Sequence, residues 1–170
     1  RNRATAAGNI CNASPCADMA IGLLCLNASV VIESMQGRRI LKLSDFFIGV
    51  KKTVLTRTEL LREIIIPAEM SGCRCGMMKQ KRIKGHDLSL VSVAMAIKEK
   101  ITVAIGSAYI TPVVLKPFPL NAKVERIIDA AVHAVKPITD IRSSKEYRLH
   151  MIEVYIKRLY AQLKKGAVRK

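Results

Sequence analysis

An α+β fold is predicted, with a small antiparallel sheet packed against two or three helices, and three observations point to it. Half of the 170 residues are hydrophobic and a quarter are charged, the balance of a chain that can bury a core. Apolar, β-branched segments fill much of positions 29–66 and 74–110, and the links between them are too short for crossover helices, so neighbouring strands must run antiparallel. The last third changes period, with apolar residues recurring every three or four positions.

Taken in order, residues 1–15 are rich in Ala, Asn, Gly and Ser and read as a loop. Asp18 precedes Met19, Ala20, Leu23 and Leu24 at helical spacing, so a short helix starts there with Asp18 as its candidate N-cap. Residues 29–32 and 39–43, broken at Gln36-Gly37, make a hairpin. Residues 43–47 suit a helical turn. The strand over 60–66 stops at Pro67, which has no backbone donor. The stretch 67–72 is the best internal boundary, dividing the chain into units 1–69 and 70–170. Three strands follow at 74–82, 88–97 and 101–110, linked through Lys84-Gly85-His86 and Glu99-Lys100. Val124, Ile127, Ile128, Ala131, Val132 and Val135 share one helical face, and Pro137 ends that run. Ser143 and Glu146 form a capping-box pattern before a second helix, whose apolar stripe is Tyr147, Met151, Val154, Tyr155, Leu159 and Leu163.

The formal charge of +16 is what a protein meeting phosphate or an anionic surface carries. Basic residues gather at Lys51-Lys52, 79–84, Lys157-Arg158 and 164–170. Four Tyr and three Phe are few for stacking on bases, so a solvated basic surface is favoured over nucleic-acid binding. The five cysteines, Cys11, Cys16, Cys25, Cys73 and Cys75, include no Cys-x-x-Cys pair, which argues for reduced thiols in a cytoplasmic chain rather than a metal site. His86, His133 and His150 are scattered and read as structural or surface residues. The apolar runs are too short to span a bilayer. The start at Arg1 reads as a cut through a longer protein.

Beyond this, the segment from Arg1 to Asp18, with Gly8-Asn9-Ile10 followed by Ala13-Ser14-Pro15 and Asp18, resembles the second flavin-binding motif of the FAD subunits of molybdenum hydroxylases, the xanthine and carbon monoxide dehydrogenase family. The likeness extends through Phe46-Phe47-x-Gly49, Glu59-Leu60-Leu61 before Ile64-Ile65-Ile66-Pro67, the run 87–94, and 136–148, covering nearly the whole chain. It implies that 1–69 completes a two-subdomain FAD-binding domain and that 70–170 forms the family's C-terminal domain. It implies FAD as the cofactor, passing electrons from two-iron two-sulfur clusters on a small partner subunit to NAD or another acceptor. Substrate would be oxidised at a molybdenum cofactor on a large partner subunit, in a doubled heterotrimer.

By the same resemblance Thr5, Gly8 and Asn9 lie along the FAD pyrophosphate, Asp18 accepts from ribityl hydroxyls, Leu61 packs on the flavin or adenine side, and Lys79 stands near the flavin, where its charge favours the anionic reduced ring. On the residues alone, Asp18 is a helix cap, Gly8-Asn9 a turn, Leu61 core and Lys79 the start of a solvated basic run. The pattern departs from the family at Ala7, where Gly is usual, and in shorter connections at 97–105 and 112–124. The family's first Gly-rich motif would precede Arg1. Two other readings stay open: a remnant kept for subunit assembly, and a basic nucleic-acid-binding module.

Overall fold

The computed structural model describes residues 4–83 and 88–165. The expected link through Lys84-Gly85-His86, the Asp87 of the flavin-type pattern, the residues before Ala4 and the basic tail after Lys165 lie outside them.

The chain opens with α1 (Ala6–Cys11), where a loop was expected. Thr5 supplies the missing start signal: its Oγ1 accepts from the Gly8 N–H at 2.9 Å, and Ile10 is buried. The second helix, α2 (Asp18–Cys25), starts where predicted, but Ala17 is its cap and no side chain caps it. Asp18 is therefore the first helical residue, and its carboxylate is used elsewhere.

The hairpin forms from β1 (Ser29–Ser34) and β2 (Gly37–Lys42), followed by a 3₁₀ turn over Leu43–Asp45. Two short strands, β3 (Phe47–Gly49) and β4 (Lys52–Thr53), pair with each other. β5 (Leu60–Ile65) returns to β1, giving a three-stranded antiparallel sheet in the order β2-β1-β5. Between Val31 and Ile32 the β1–β5 register shifts at a bulge, and on one side of it Ile32 faces Leu61.

After a 3₁₀ turn over Ala68–Met70 the second sheet begins. It contains β6 (Arg74–Gln80), β7 (Val91–Ile97), β8 (Lys100–Gly106), β9 (Val113–Val114) and β10 (Phe118–Pro119). Its order is β10-β8-β7-β6, with β9 also paired to β8 and every ladder antiparallel. Last come α3 (Val124–Ala134) and α4 (Lys145–Lys165). The capping residue of α4 is Ser144 rather than the expected Ser143, for Ser144 Oγ accepts from the Tyr147 N–H at 3.2 Å. The buried stripe of α4 is rotated as well: Arg148, Ile152 and Ile156 join Tyr155, Leu159 and Leu163, while Tyr147 is exposed.

All seven residues of β7 are buried, because its sheet is covered on both faces. Val91, Val93, Met95 and Ile97 point toward α3 and α4, meeting Ile127, Ile152, Ile156 and Leu159. Ala94 and Ala96 point the other way, with Ala104 of β8, into the core built by α2 and the first sheet. Alanines suit this face because α2 lies close to it. Gly106, at the end of β8, takes the approach further, since a Cβ there would stand 2.7 Å from Ser92 Oγ and 3.0 Å from Ile21. Each Ile or Leu so buried contributes about 1.5–3 kcal/mol.

Candidate functional site

The closeness of α2 to the second sheet brings two of the expected site residues together. Asp18 opens α2, and Lys79 lies on β6, the sheet's edge strand, paired with Ser92. Lys79 Nζ stands 2.7 Å from Asp18 Oδ2, with side chains 20% and 32% exposed. The second carboxylate oxygen, Asp18 Oδ1, is buried and has no hydrogen-bond partner. A carboxylate with one oxygen neutralised and the other unmet is an acceptor waiting for an N–H or O–H donor.

Beside it sits the α1 turn. Thr5 Oγ1 is engaged by Gly8, and Asn9 Oδ1 accepts from the Met19 N–H at 3.3 Å, which ties α1 to the first turn of α2 next to Asp18. Gly8 is required by the turn itself, because a Cβ there would come within 2.9 Å of Thr5 Oγ1. Leu61 is on β5, against which α1 packs, and is 9% exposed within the core that includes Ile10 and Ile32. Asn9 thus ties the turn of Thr5 and Gly8 to the helix start where Asp18 pairs with Lys79, and Leu61 lies in the core that holds Ile10.

Lys51, on the loop between β3 and β4, reaches back to the same region: its Nζ is 2.7 Å from Asn12 Oδ1 and its N–H donates to Ala13 O at 2.9 Å. Position 51 has a positive φ of 59°. Nothing in the sequence marked Lys51 beyond its place in a basic pair. No group of three or more His, Cys, Asp or Glu among the described residues is arranged to hold a metal ion. The five cysteines are all free thiols; burial, and to a smaller degree Cys75 and Cys73, push the Cys25 thiol far above its ordinary value. His133 is exposed and approaches Asp129 one turn away at 3.2 Å, a surface contact as expected.

A second polar centre was missed. Arg148, 2% exposed, donates from Nη2 to Asp140 Oδ1 at 2.9 Å, and from Nη1 to Ser107 O at 3.1 Å and to Leu90 O. Arg142 holds the other oxygen of Asp140, with Nη2 at 2.7 Å from Oδ2. Burial raises the Asp140 pKa, but the side-chain and backbone hydrogen bonds from Arg142 and the charges of Arg148 and Arg142 outweigh it, leaving the carboxyl well below the usual range. The sequence sign was an arginine on a helix face at apolar spacing, beside Ile152 and Tyr155 one and two turns later.

Fold and site together define an α+β protein with a carboxylate-bearing helix start tied to a glycine turn, with one carboxylate oxygen left to accept from a hydroxyl or N–H donor. Residues 1–69 match the family described as the FAD binding domain in molybdopterin dehydrogenase. Over 96% of its length the chain is 30% identical to the glyceraldehyde dehydrogenase medium chain of Sulfolobus acidocaldarius, covering 62% of that protein. It is 28% identical to the xanthine dehydrogenase FAD-binding subunit of Escherichia coli O157:H7, over 95% of this chain and 61% of that one. The structure of carbon monoxide dehydrogenase from Hydrogenophaga pseudoflava superposes with a TM-score of 0.83 at 28% identity, over 94% of this chain and 60% of that one. The chain is thus similar to the medium or FAD-binding subunits of these dehydrogenases, and spans about three fifths of the length of the relatives it matches.

Proposed function

We propose that this chain is part of the FAD-binding, electron-transferring subunit of a molybdenum hydroxylase. The observation that carries the reading is the unmet, buried Asp18 Oδ1 beside Lys79, in a segment matching an FAD-binding family. FAD, when bound, supplies the redox chemistry, and the chain's residues supply placement and charge. Asp18 Oδ1 accepts from a ribityl hydroxyl. Thr5, Gly8 and Asn9 line the pyrophosphate side, where the Thr5–Gly8 and Asn9–Met19 hydrogen bonds hold the turn rigid. Lys79, fixed by Asp18, favours negative charge nearby, and Leu61 backs the surface as an apolar wall.

In this reading 1–69 completes the flavin domain and 70–170 is the C-terminal domain, with the turn around Ala68–Met70 between them. The partners are a large subunit with the molybdenum cofactor and a small subunit with two-iron two-sulfur clusters, and the electrons end on NAD or another acceptor. The names of the relatives support an oxidoreductase role. Five free thiols and the lack, among the described residues, of any helix long and apolar enough to cross a membrane fit work in the cytoplasm.

The test is the bound-FAD stoichiometry of the native full-length protein purified with its partners, alongside Asp18→Ala. One FAD per chain, lost or much weakened in the variant, is expected. Full FAD occupancy in Asp18→Ala would sink the assignment of Asp18. Absence of FAD from an intact complex would sink the flavoprotein reading in favour of an assembly remnant.

A further inference from the structure

A cleft of about 380 Å³ opens beside the Asp140–Arg148 pair, within the size range of small-molecule sites, and Asp18 and Lys79 do not line it. Among the described residues, four cationic side chains border it, those of Lys51, Lys136, Arg142 and Arg148, against a single carboxylate, Asp140. That carboxylate is spent. Its Oδ1 accepts from Arg148 and from the backbone of Arg142 and Ser143, and its Oδ2 accepts from Arg142. Among the described residues the cleft therefore carries more positive than negative charge. The Lys136 ammonium, at the rim, has no hydrogen-bond or ion-pair partner among the described residues.

The floor carries a second, independent signal. Arg148 Nε and Ser107 Oγ are both buried, both belong to residues lining the cleft, and neither has a hydrogen-bond partner. A buried donor left unmet costs roughly 1–3 kcal/mol. The Arg148 guanidinium cannot turn away to find one. Arg148 is pinned through its other nitrogens, and Ser107 is fixed at φ 64° by its N–H to Pro15 O and by its carbonyl's bond from Arg148. A guanidinium N–H and a hydroxyl left unmet beneath a cationic rim suit a negatively charged acceptor. The upper walls are apolar instead, with Val50, Tyr109, Ile110 and Ile138 exposed around the opening.

We propose that this cleft binds a small amphipathic organic anion, an aromatic carboxylate in class, with its carboxylate toward Lys136, Arg142 and the Arg148–Ser107 floor and its ring against the apolar walls. The site shares no residue with the Asp18–Lys79 pair, though Ser14 and Pro15 of its lining belong to the flavin-type motif.

The full-length protein titrated with benzoate in a calorimeter tests it, with benzyl alcohol and inorganic phosphate as the neutral-ring and ring-free probes. One benzoate per chain is expected, with neither control binding comparably, and affinity reduced about tenfold or more in Lys136→Glu, the loss of one charge-assisted contact. Lys136 is exposed, so the variant should fold, and its FAD content reports the flavin site separately. Three results would overturn the proposal: no benzoate binding, which leaves the floor to water; equal binding in Lys136→Glu; or equal binding of either control.

Discussion

Lys79 on edge strand β6 reaches 2.7 Å to Asp18 at the first turn of α2, so one ion pair links the helix of the first core to the rim of the second sheet. Both side chains are partly shielded from water. A double-mutant cycle with Asp18→Asn and Lys79→Met should give a coupling of about 1 kcal/mol in urea unfolding, the upper end for a partly exposed pair. Additive effects of the two substitutions would show that the pair does not hold the seam.

Gly8 is tested by adding one methyl group. Gly8→Ala pushes a Cβ to within 2.9 Å of Thr5 Oγ1 and breaks the cap of α1, which should cost about 0.5–2 kcal/mol. Thr5→Ala should cost a similar amount without the clash. If Gly8→Ala is neutral while Thr5→Ala is not, the turn relaxes around the methyl and Gly8 is there for a ligand's approach alone.

Arg148→Met should be among the most damaging substitutions outside the apolar core. It takes one of two guanidinium partners from Asp140 and leaves the carbonyls of Ser107 and Leu90 unmet, a loss of about 1–3 kcal/mol for each buried group left without a partner. A loss under about 1 kcal/mol in chemical denaturation would mean that water replaces the guanidinium freely.

Stability should fall in acid through two carboxylates whose folded pKa lies below the unfolded one. Glu59, hydrogen-bonded by the Arg39 side chain and the Thr56 N–H, is lowered to about 2, and Asp140 is lowered by its two arginines despite its burial. Their contribution is whole above the unfolded values of about 4 and disappears as pH falls through the folded ones. Unfolding free energy measured between pH 5 and pH 2 should drop, and Asp140→Asn should flatten the drop. An identical slope in the variant would exclude Asp140 as its source.

Much of this was legible in the sequence, for reasons that particular residues show. The hairpin of β1 and β2, the three long strands and both C-terminal helices came from patterns that local chemistry enforces: apolar β-branched runs, Gly37 at a turn, Pro67 after a strand, and apolar residues at three- and four-residue spacing. The helix α1 was hidden because one Thr5 hydroxyl and one buried Ile10 outweigh a composition of turn formers. The α4 cap slipped by one residue because adjacent serines, Ser143 and Ser144, can both cap a helix, and Ser143 is instead engaged with Asp140. Asp18 and Lys79 were singled out by family resemblance, but their contact depends on how α2 lies over β6, which no local pattern encodes. The Asp140–Arg148 pair escaped because it joins a loop to a helix face that reads as merely amphipathic.

Ala94, Ala96 and Ala104 give the second sheet a face that completes the core of α2 and the first sheet. The stretch from 1 to 69 therefore does not own its whole interior. Produced alone, it would present the greasy underside of α2, with Ile21, Leu24 and Cys25 uncovered, and should come out of cells as inclusion bodies or as a chaperone client. Produced together, the two halves should melt in a single transition, and the amides of β7 should be the last to exchange with deuterium.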